Sequence, residues 1–222
     1  MVMKSSQYEA KDDYVREQAS KYDEIRFSSY KGRLYDNLQK NIIRKIMGPL
    51  KRDLSVLDLP CGTGRIAEVI GEFTPNIVCA DISQDMLDVA RKKLLPTNDK
   101  IIYRILDAEK IDFPDNSFDL IASIKLMHLL PFDVQSQVLR EILRVSSRWV
   151  VVTYAYNDWL SWIKDYIFRK KYDRINPSSN HPRNVGELES EIKRCGGEVR
   201  ETHYTFRLFS SEVVFLIEKQ AH

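Results

Sequence analysis

Ser55-Val56-Leu57-Asp58-Leu59-Pro60-Cys61-Gly62-Thr63-Gly64-Arg65 is a short apolar run that ends in an acidic residue and breaks into a glycine-bearing loop. A strand of Val and Leu suits the middle of a parallel sheet, where both faces are covered. Gly62 and Gly64 permit positive φ and close backbone approach to a ligand. The amphipathic run from Arg65 to Glu72 then starts a helix whose unpaired N–H groups face that ligand. The stretch therefore reads as the first strand of an α/β sheet handing its chain to a binding loop.

The segments on either side extend the pattern. Upstream, Leu34, Leu38, Ile42, Ile43 and Ile46 fall at helical spacing between Lys31 and Met47, and Gly48-Pro49 ends the helix. Lys21 to Tyr30 is aromatic and mixed in charge without a clear period, and residues 1–20 are polar, with Tyr8, Tyr14 and Val15 as a sparse helical face. Downstream, Asn76 to Asp81 is a second strand ending in a carboxylate, and Gln84 to Lys93 is a helix with Met86, Leu87 and Ala90 on one face. A third strand, Ile101 to Leu106, ends at Asp107, and a polar turn leads to a fourth, Phe118 to Ile124. Strands alternating with helices favour a parallel sheet with right-handed crossovers. Phe132 to Val145 reads as an amphipathic helix, Trp149 to Tyr156 as a fifth strand, and Asp158 to Lys171 as an inserted helix bearing Trp159 and Trp162. A turn-rich loop, Asn176 to Pro182, a helix from Val185 to Cys195, and strand-like runs from Glu198 to Phe206 and Glu212 to Glu218 finish the chain.

At 222 residues the chain reads as one domain. Its expected parts are an N-terminal helical cap (1–49), a core (50–157), an inserted lid (158–184) and a C-terminal helix with strands (185–222). A net charge of +2 leaves no broad electrostatic footprint for nucleic acid. No apolar run approaches the roughly 20 residues of a membrane span, and the polar N-terminus does not read as a signal peptide, so a cytoplasmic location is expected. Three cysteines without a C-x-x-C or His/Cys cluster argue against a disulfide framework or structural zinc.

The ligand of the loop has two readings. Gly62-x-Gly64-x-x-Ala67 with Asp81 downstream fits a dinucleotide fingerprint. Asp58 counts against a pyrophosphate neighbour and for a ligand with a cationic amino-acid tail. Val56 to Gly64 resembles motif I of the class I S-adenosylmethionine-dependent methyltransferases. Ala80-Asp81-Ile82-Ser83-x-x-Met86-Leu87-x-x-Ala90 resembles the family's second motif, and Asp107-Ala108-Glu109 with Phe113-Pro114-Asp115-Asn116-Ser117-Phe118-Asp119 resembles the third and fourth. Leu126 to Leu130 is similar to the segment on the substrate side. The resemblance runs from about Tyr22 to the C-terminus, and Pro60 stands where many members have glycine.

The resemblance implies a doubly wound, mostly parallel, seven-stranded Rossmann-like sheet with helices on both faces and an antiparallel last strand. It implies S-adenosylmethionine as cofactor, S-adenosylhomocysteine as product, and binding by Asp58, Pro60, Cys61, Gly62, Thr63, Gly64, Asp81, Ile82, Met86, Asp107 and Ala108. In it Asp81 binds the ribose hydroxyls and Asp107 the adenine amino group, while Ile82 and Met86 flank adenine or pack in the core. His128 is the candidate base, against a structural histidine at a strand-to-helix junction. Tyr154 is preferred over Tyr156 as the strand-end tyrosine facing the pocket, and Tyr22, Arg26 and Tyr30 are read either as closing over the cofactor, as the corresponding region does in similar enzymes, or as merely structural. Cys61 follows a proline, as in cytosine C5 methyltransferases, but on the first strand rather than the fourth, so it reads as structural. Ser123 to Leu126 lacks the Asn/Asp-Pro-Pro-Tyr pattern of DNA amino methyltransferases, and no aspartate constellation calls for a metal. The helix Asp158 to Lys171 is read as a lid, a membrane-surface contact or ordinary packing. The leading expectation is methyl transfer to a small or lipid-like acceptor at O, C or N. Its rivals are a macromolecular methyltransferase using Arg169 to Arg174, a noncatalytic S-adenosylmethionine-binding regulator, and a nicotinamide oxidoreductase.

Overall fold

A computed structural model of the chain describes residues 16–156, 183–205 and 212–220. Two helices, α1 (Arg16–Phe27) and α2 (Tyr30–Met47), precede the sheet. There follow β1 (Val56–Asp58), α3 (Arg65–Ile70), β2 (Ile77–Asp81), α4 (Gln84–Leu94), β3 (Ile102–Ile105) and β4 (Phe118–Ser123). The remainder comprises α5 (Phe132–Val145), β5 (Ser146–Ala155), α6 (Val185–Arg194), β6 (Gly197–Tyr204) and β7 (Glu212–Lys219).

The seven strands lie in the order β3-β2-β1-β4-β5-β7-β6. The first five are mutually parallel, and β7 runs antiparallel between β5 and β6. The chain winds outward from β1 through β2 to β3, then returns to place β4 on the other side of β1. This reversal opens a crevice beyond the carboxyl ends of β1 and β4, the position where ligands bind in such sheets.

Alternation along the strands divides the core between the two faces. Leu57 joins Ile121, Val150, Val152 and Phe215 beneath α5 and α6. Val56 joins Ile77, Leu120, Ala122 and Val151 beneath α2, α3 and α4. Asp58, two residues beyond Val56, takes the same face as Val56, and this parity decides its surroundings. Each fully buried Val or Leu contributes roughly 1.5–3 kcal/mol relative to exposure, and β1 is buried throughout.

Two elements differ from their sequence expectation. Residues 21–30 show no apolar period, yet α1 is continuous to Phe27. Its inner side is held by polar contacts, Asp23 to Thr63 and to Lys93, and such contacts leave no hydrophobic stripe to read. β5 begins at Ser146 rather than Trp149, because Val145 passes from α5 into the ladder without a loop and Ser146 pairs with Phe118. The expected helix from Asp158 to Lys171, the loop from Asn176 to Pro182, and Tyr8, Tyr14 and Phe206 lie outside the described residues. No helix among the described residues is long and apolar enough to cross a membrane.

Candidate functional site

The crevice holds a cavity of about 140 Å³, open at one side. Its floor is the loop after β1. Cys61 donates its backbone N–H to Ala80 O (2.8 Å) and Gly64 to Cys61 O (2.9 Å), which ties the loop to β2 and closes it on itself. Gly62 and Gly64 adopt φ of 52° and 76°. A Cβ on Gly62 would meet nothing within 4 Å, so the backbone there is bare toward the cavity, whereas one on Gly64 would lie 2.7 Å from Leu94 Cδ1.

Asp81 organises this floor from the end of β2. Its carboxylate accepts the N–H of Gly62 (2.9 Å) and of Ser83 (2.9 Å), and Asp81 and Gly62 both line the cavity. Burial raises its pKa, opposed by the N–H groups it accepts. Ser83 also caps α4, accepting from Met86 N, which sets Ile82, 41% exposed, and buried Met86 on the cavity wall. Asp107 accepts the N–H of Glu109 (3.0 Å) and lines the cavity with Ala108.

Of the expected binding residues, Pro60, Cys61, Gly62, Thr63, Asp81, Ile82, Met86, Asp107 and Ala108 line one cavity, and Asp58 and Gly64 do not. Asp58 is 0% exposed, and neither carboxylate oxygen has a hydrogen-bond partner. The parity of β1 directs it beneath the loop and the first turn of α3. Burial, with the charge of Asp81 added and that of Arg65 opposing, pushes its pKa up to about 8. Cys61 is buried, and its thiol is held well above its ordinary pKa by Cys79, burial and nearby carboxylates, which leaves no nucleophilic thiolate.

Helix α1 closes one side. Thr63 donates its hydroxyl to Asp23 Oδ1 (2.7 Å), and Lys93 reaches Asp23 Oδ2 (3.5 Å), so α1 is latched to the loop and to α4. Tyr22 and Phe27 reach the cavity. Arg26 instead stacks on Tyr22, and Tyr30 is 76% exposed and away from the lining.

The other end carries the residues that follow β4: Ile124, Lys125, Leu126, Leu129 and Leu130. Lys125 has φ of 63°, and its N–H donates to Thr153 Oγ1 (2.7 Å). Its Nζ lies 4.2 Å from the Tyr35 ring centroid and 5.6 Å from that of Phe27. Burial and the nearby cations Arg65 and Arg26 pull its pKa down to about 8, opposed by Glu212 and Asp36. Behind it Arg65 pairs with Asp36 (2.5 Å) and donates to Gln39, which donates to Glu212 (2.7 Å).

The two expected catalytic side chains fall elsewhere. His128 stands on the short 3-10 turn Met127–Leu129, with an exposed side chain outside the lining. Tyr154 is 2% exposed, packs edge-on to Phe215, and lies in the core beneath α5 and α6 with its hydroxyl unpartnered. Tyr156, one residue beyond the end of β5, is buried in the same core as Tyr154. Phe27, Arg65 and Lys125 were missed in the sequence. Phe27 sits in a segment without period, Arg65 read as the start of a helix, and Lys125 is a single charge in an apolar run.

The sequence family described as a methyltransferase domain matches residues 56–148. The demethylmenaquinone methyltransferase of Leptospira interrogans serogroup Icterohaemorrhagiae serovar copenhageni (strain Fiocruz L1-130) is 33% identical over 175 residues, covering 72% of this chain and 69% of that protein. The ubiquinone/menaquinone biosynthesis C-methyltransferase UbiE of Pseudoalteromonas translucida (strain TAC 125) is 36% identical over 107 residues, covering 45% and 42% respectively. Among solved structures, magnesium protoporphyrin IX methyltransferase (ChlM) from Synechocystis PCC 6803 with bound SAH shares the fold at a TM-score of 0.71 and 13% identity, over 92% of this chain and 98% of that one.

Proposed function

Because the chain belongs to the class I S-adenosylmethionine-dependent methyltransferases, we propose that its acceptor is a small, lipid-like aromatic ring, a reduced quinone, methylated at the end of the cavity beyond β4. The observation that carries this reading is the apolar wall of Phe27, Ile124, Leu126, Leu129 and Leu130, which suits a flat apolar ring. The names of the relatives supply the acceptor class.

The chain's residues fit the methyl donor. Gly62 leaves a bare backbone that a ligand can approach within van der Waals distance. Asp81 keeps acceptor lone pairs beyond the two N–H groups it holds, and in this proposal they receive the ribose hydroxyls. Asp107 and Ala108 take the adenine edge, and Ile82 and Met86 cover its face. Pro60, Cys61 and Thr63 complete the floor. Asp58 lies beneath the loop, out of contact with the ligand, and Gly64 holds the loop against α4. When bound, S-adenosylmethionine supplies a methyl group already activated on a sulfonium and leaves as S-adenosylhomocysteine. The protein's share is then orientation and exclusion of water: α1 closes one side through Asp23, and the leucines after β4 keep the other dry.

Asp81→Ala is expected to weaken S-adenosylhomocysteine binding by about 1.5–3 kcal/mol, the scale of charge-assisted hydrogen bonds. Titration calorimetry on a variant with native circular dichroism checks this, and unchanged affinity would remove Asp81 from the site. For the acceptor, methyl-labelled S-adenosylmethionine is offered with a short-chain demethylmenaquinol, and separately with bulk RNA and a protein extract. Label should enter the quinol. Label entering only the macromolecules would overturn the reading.

A further inference from the structure

We propose that Lys125 reads the methyl acceptor, its ammonium receiving an ionised oxygen, a phenolate or enolate, at the aromatic-walled end of the cavity. The inference rests on the acceptor being a hydroxylated ring, as proposed above.

Three observations lead to it. Lys125 occupies a left-handed backbone conformation, φ 63°, with its amide tied to Thr153, a rare state for lysine. The ammonium lies over Tyr35 and Phe27. Among the described residues it has no hydrogen-bond acceptor and no carboxylate at ion-pair distance. Aromatic faces stabilise a cation but do not accept its three N–H donors as an oxygen does.

The carboxylates of Asp36 and Glu212 lie beyond ion-pair distance of it and reach it only through their charge. Asp36 holds Arg65 and Lys40, and Glu212 receives Gln39 and Thr205. Arg65 from α3 and Arg26 from α1 add positive potential. The titratable and charged groups facing Lys125 thus comprise the cations Arg65 and Arg26, the carboxylates of Asp36 and Glu212, and His128, while Lys125 lines the cavity. A partly desolvated cation with free donors in a concave site selects an anionic oxygen.

The chemistry agrees with a hydroxylated ring. Ionising the hydroxyl raises the electron density of both the oxygen and the ring carbons, so an adjacent ammonium favours the nucleophilic form. When the acceptor arrives neutral, its O–H bond breaks and an N–H bond forms on an unprotonated Lys125. The electron pair stays on the acceptor oxygen, and the resulting ammonium–oxyanion pair has the same net charge as the amine and phenol. A lysine whose pKa has fallen to about 8 has a usable amine fraction near neutral pH.

The donor's own carboxylate is a second source of the same anionic chemistry, and the experiment separates the two. The probe is 4-nitrophenol, whose phenolate absorbs in the visible, titrated with pH against wild-type protein, Lys125→Gln and Lys125→Arg, all saturated with S-adenosylhomocysteine. Wild type should hold the probe ionised at lower pH than in free solution, binding the phenolate on the order of tenfold or more tighter than Lys125→Gln does. Lys125→Arg should retain most of the shift. Calorimetry with S-adenosylhomocysteine should give equal affinity for wild type and Lys125→Gln, which also confirms that the variant is folded. No shift in wild type, an equal shift in Lys125→Gln, or a selective loss of S-adenosylhomocysteine affinity in that variant would each overturn the proposal. A wild-type protein that shifts the probe yet leaves the quinol unmethylated would keep the oxyanion site and discard the quinone class.

Discussion

Gly64→Val should destabilise the folded protein by about 2–6 kcal/mol, measured as a lowered urea midpoint with unchanged slope. Two costs combine. The backbone at φ 76° is a conformation that costs a side-chain-bearing residue roughly 1–3 kcal/mol. In addition, a Cβ would stand 2.7 Å from Leu94 Cδ1 and 3.2 Å from Ala90 Cβ, and overpacking of this kind costs about 1–3 kcal/mol. Gly62→Ala is the contrast. Its φ is 52° but a Cβ meets nothing within 4 Å, so only the backbone cost of roughly 1–2 kcal/mol applies, while the added methyl enters the space a ligand backbone contact needs. A loss below 1 kcal/mol for Gly64→Val would contradict the close packing of the loop on α4.

Asp58→Asn should make the ligand-free protein more stable above neutral pH, and by less as the solution becomes acidic. Burial lifts the Asp58 carboxyl from 3.8 to about 8, so the folded state favours the neutral acid. A folded pKa above the unfolded one means that the stabilising contribution is full below about pH 4 and is lost as pH rises toward 8. Beyond that, the fold carries an unpartnered buried carboxylate. Each tenfold change in a protonation equilibrium is about 1.4 kcal/mol, and the new amide's own N–H groups give back about 1–3 kcal/mol. A net gain of about 3–5 kcal/mol at pH 8–9 is expected on this scale, falling through zero toward pH 4. Parallel stability curves for parent and variant across that range would show that Asp58 is not the buried, uncompensated acid described above.

Much of this site was legible before the fold was known. Asp58, Asp81 and Asp107 each close an apolar run of β-type residues, and glycines follow the first of them. Local pattern is enough to read such features, since strand ends and tight turns are written in neighbouring residues. Tyr154 shows the opposite case. It lies near the carboxyl end of β5, yet the strand's parity turns it toward α5 and α6 and into the core. Phe27 and Tyr35 come from helices about ninety residues or more before Lys125, and no local spacing links them to it. The polar latch of α1, Asp23 with Thr63 and Lys93, likewise joins residues whose sequence neighbourhoods show no common period.

By itself the sequence determined the succession of strands and helices, the glycine loop after β1 and the acidic strand ends, because hydrophobic periodicity and turn chemistry are local properties of the chain. Only the tertiary structure decided that Asp58 is sealed beneath its own loop, that Tyr154 belongs to the core, and that Lys125 meets aromatic rings rather than a carboxylate beside the cavity. Those outcomes depend on strand parity and on helices packed from distant parts of the chain, which set the burial and charge around each group without leaving a local mark.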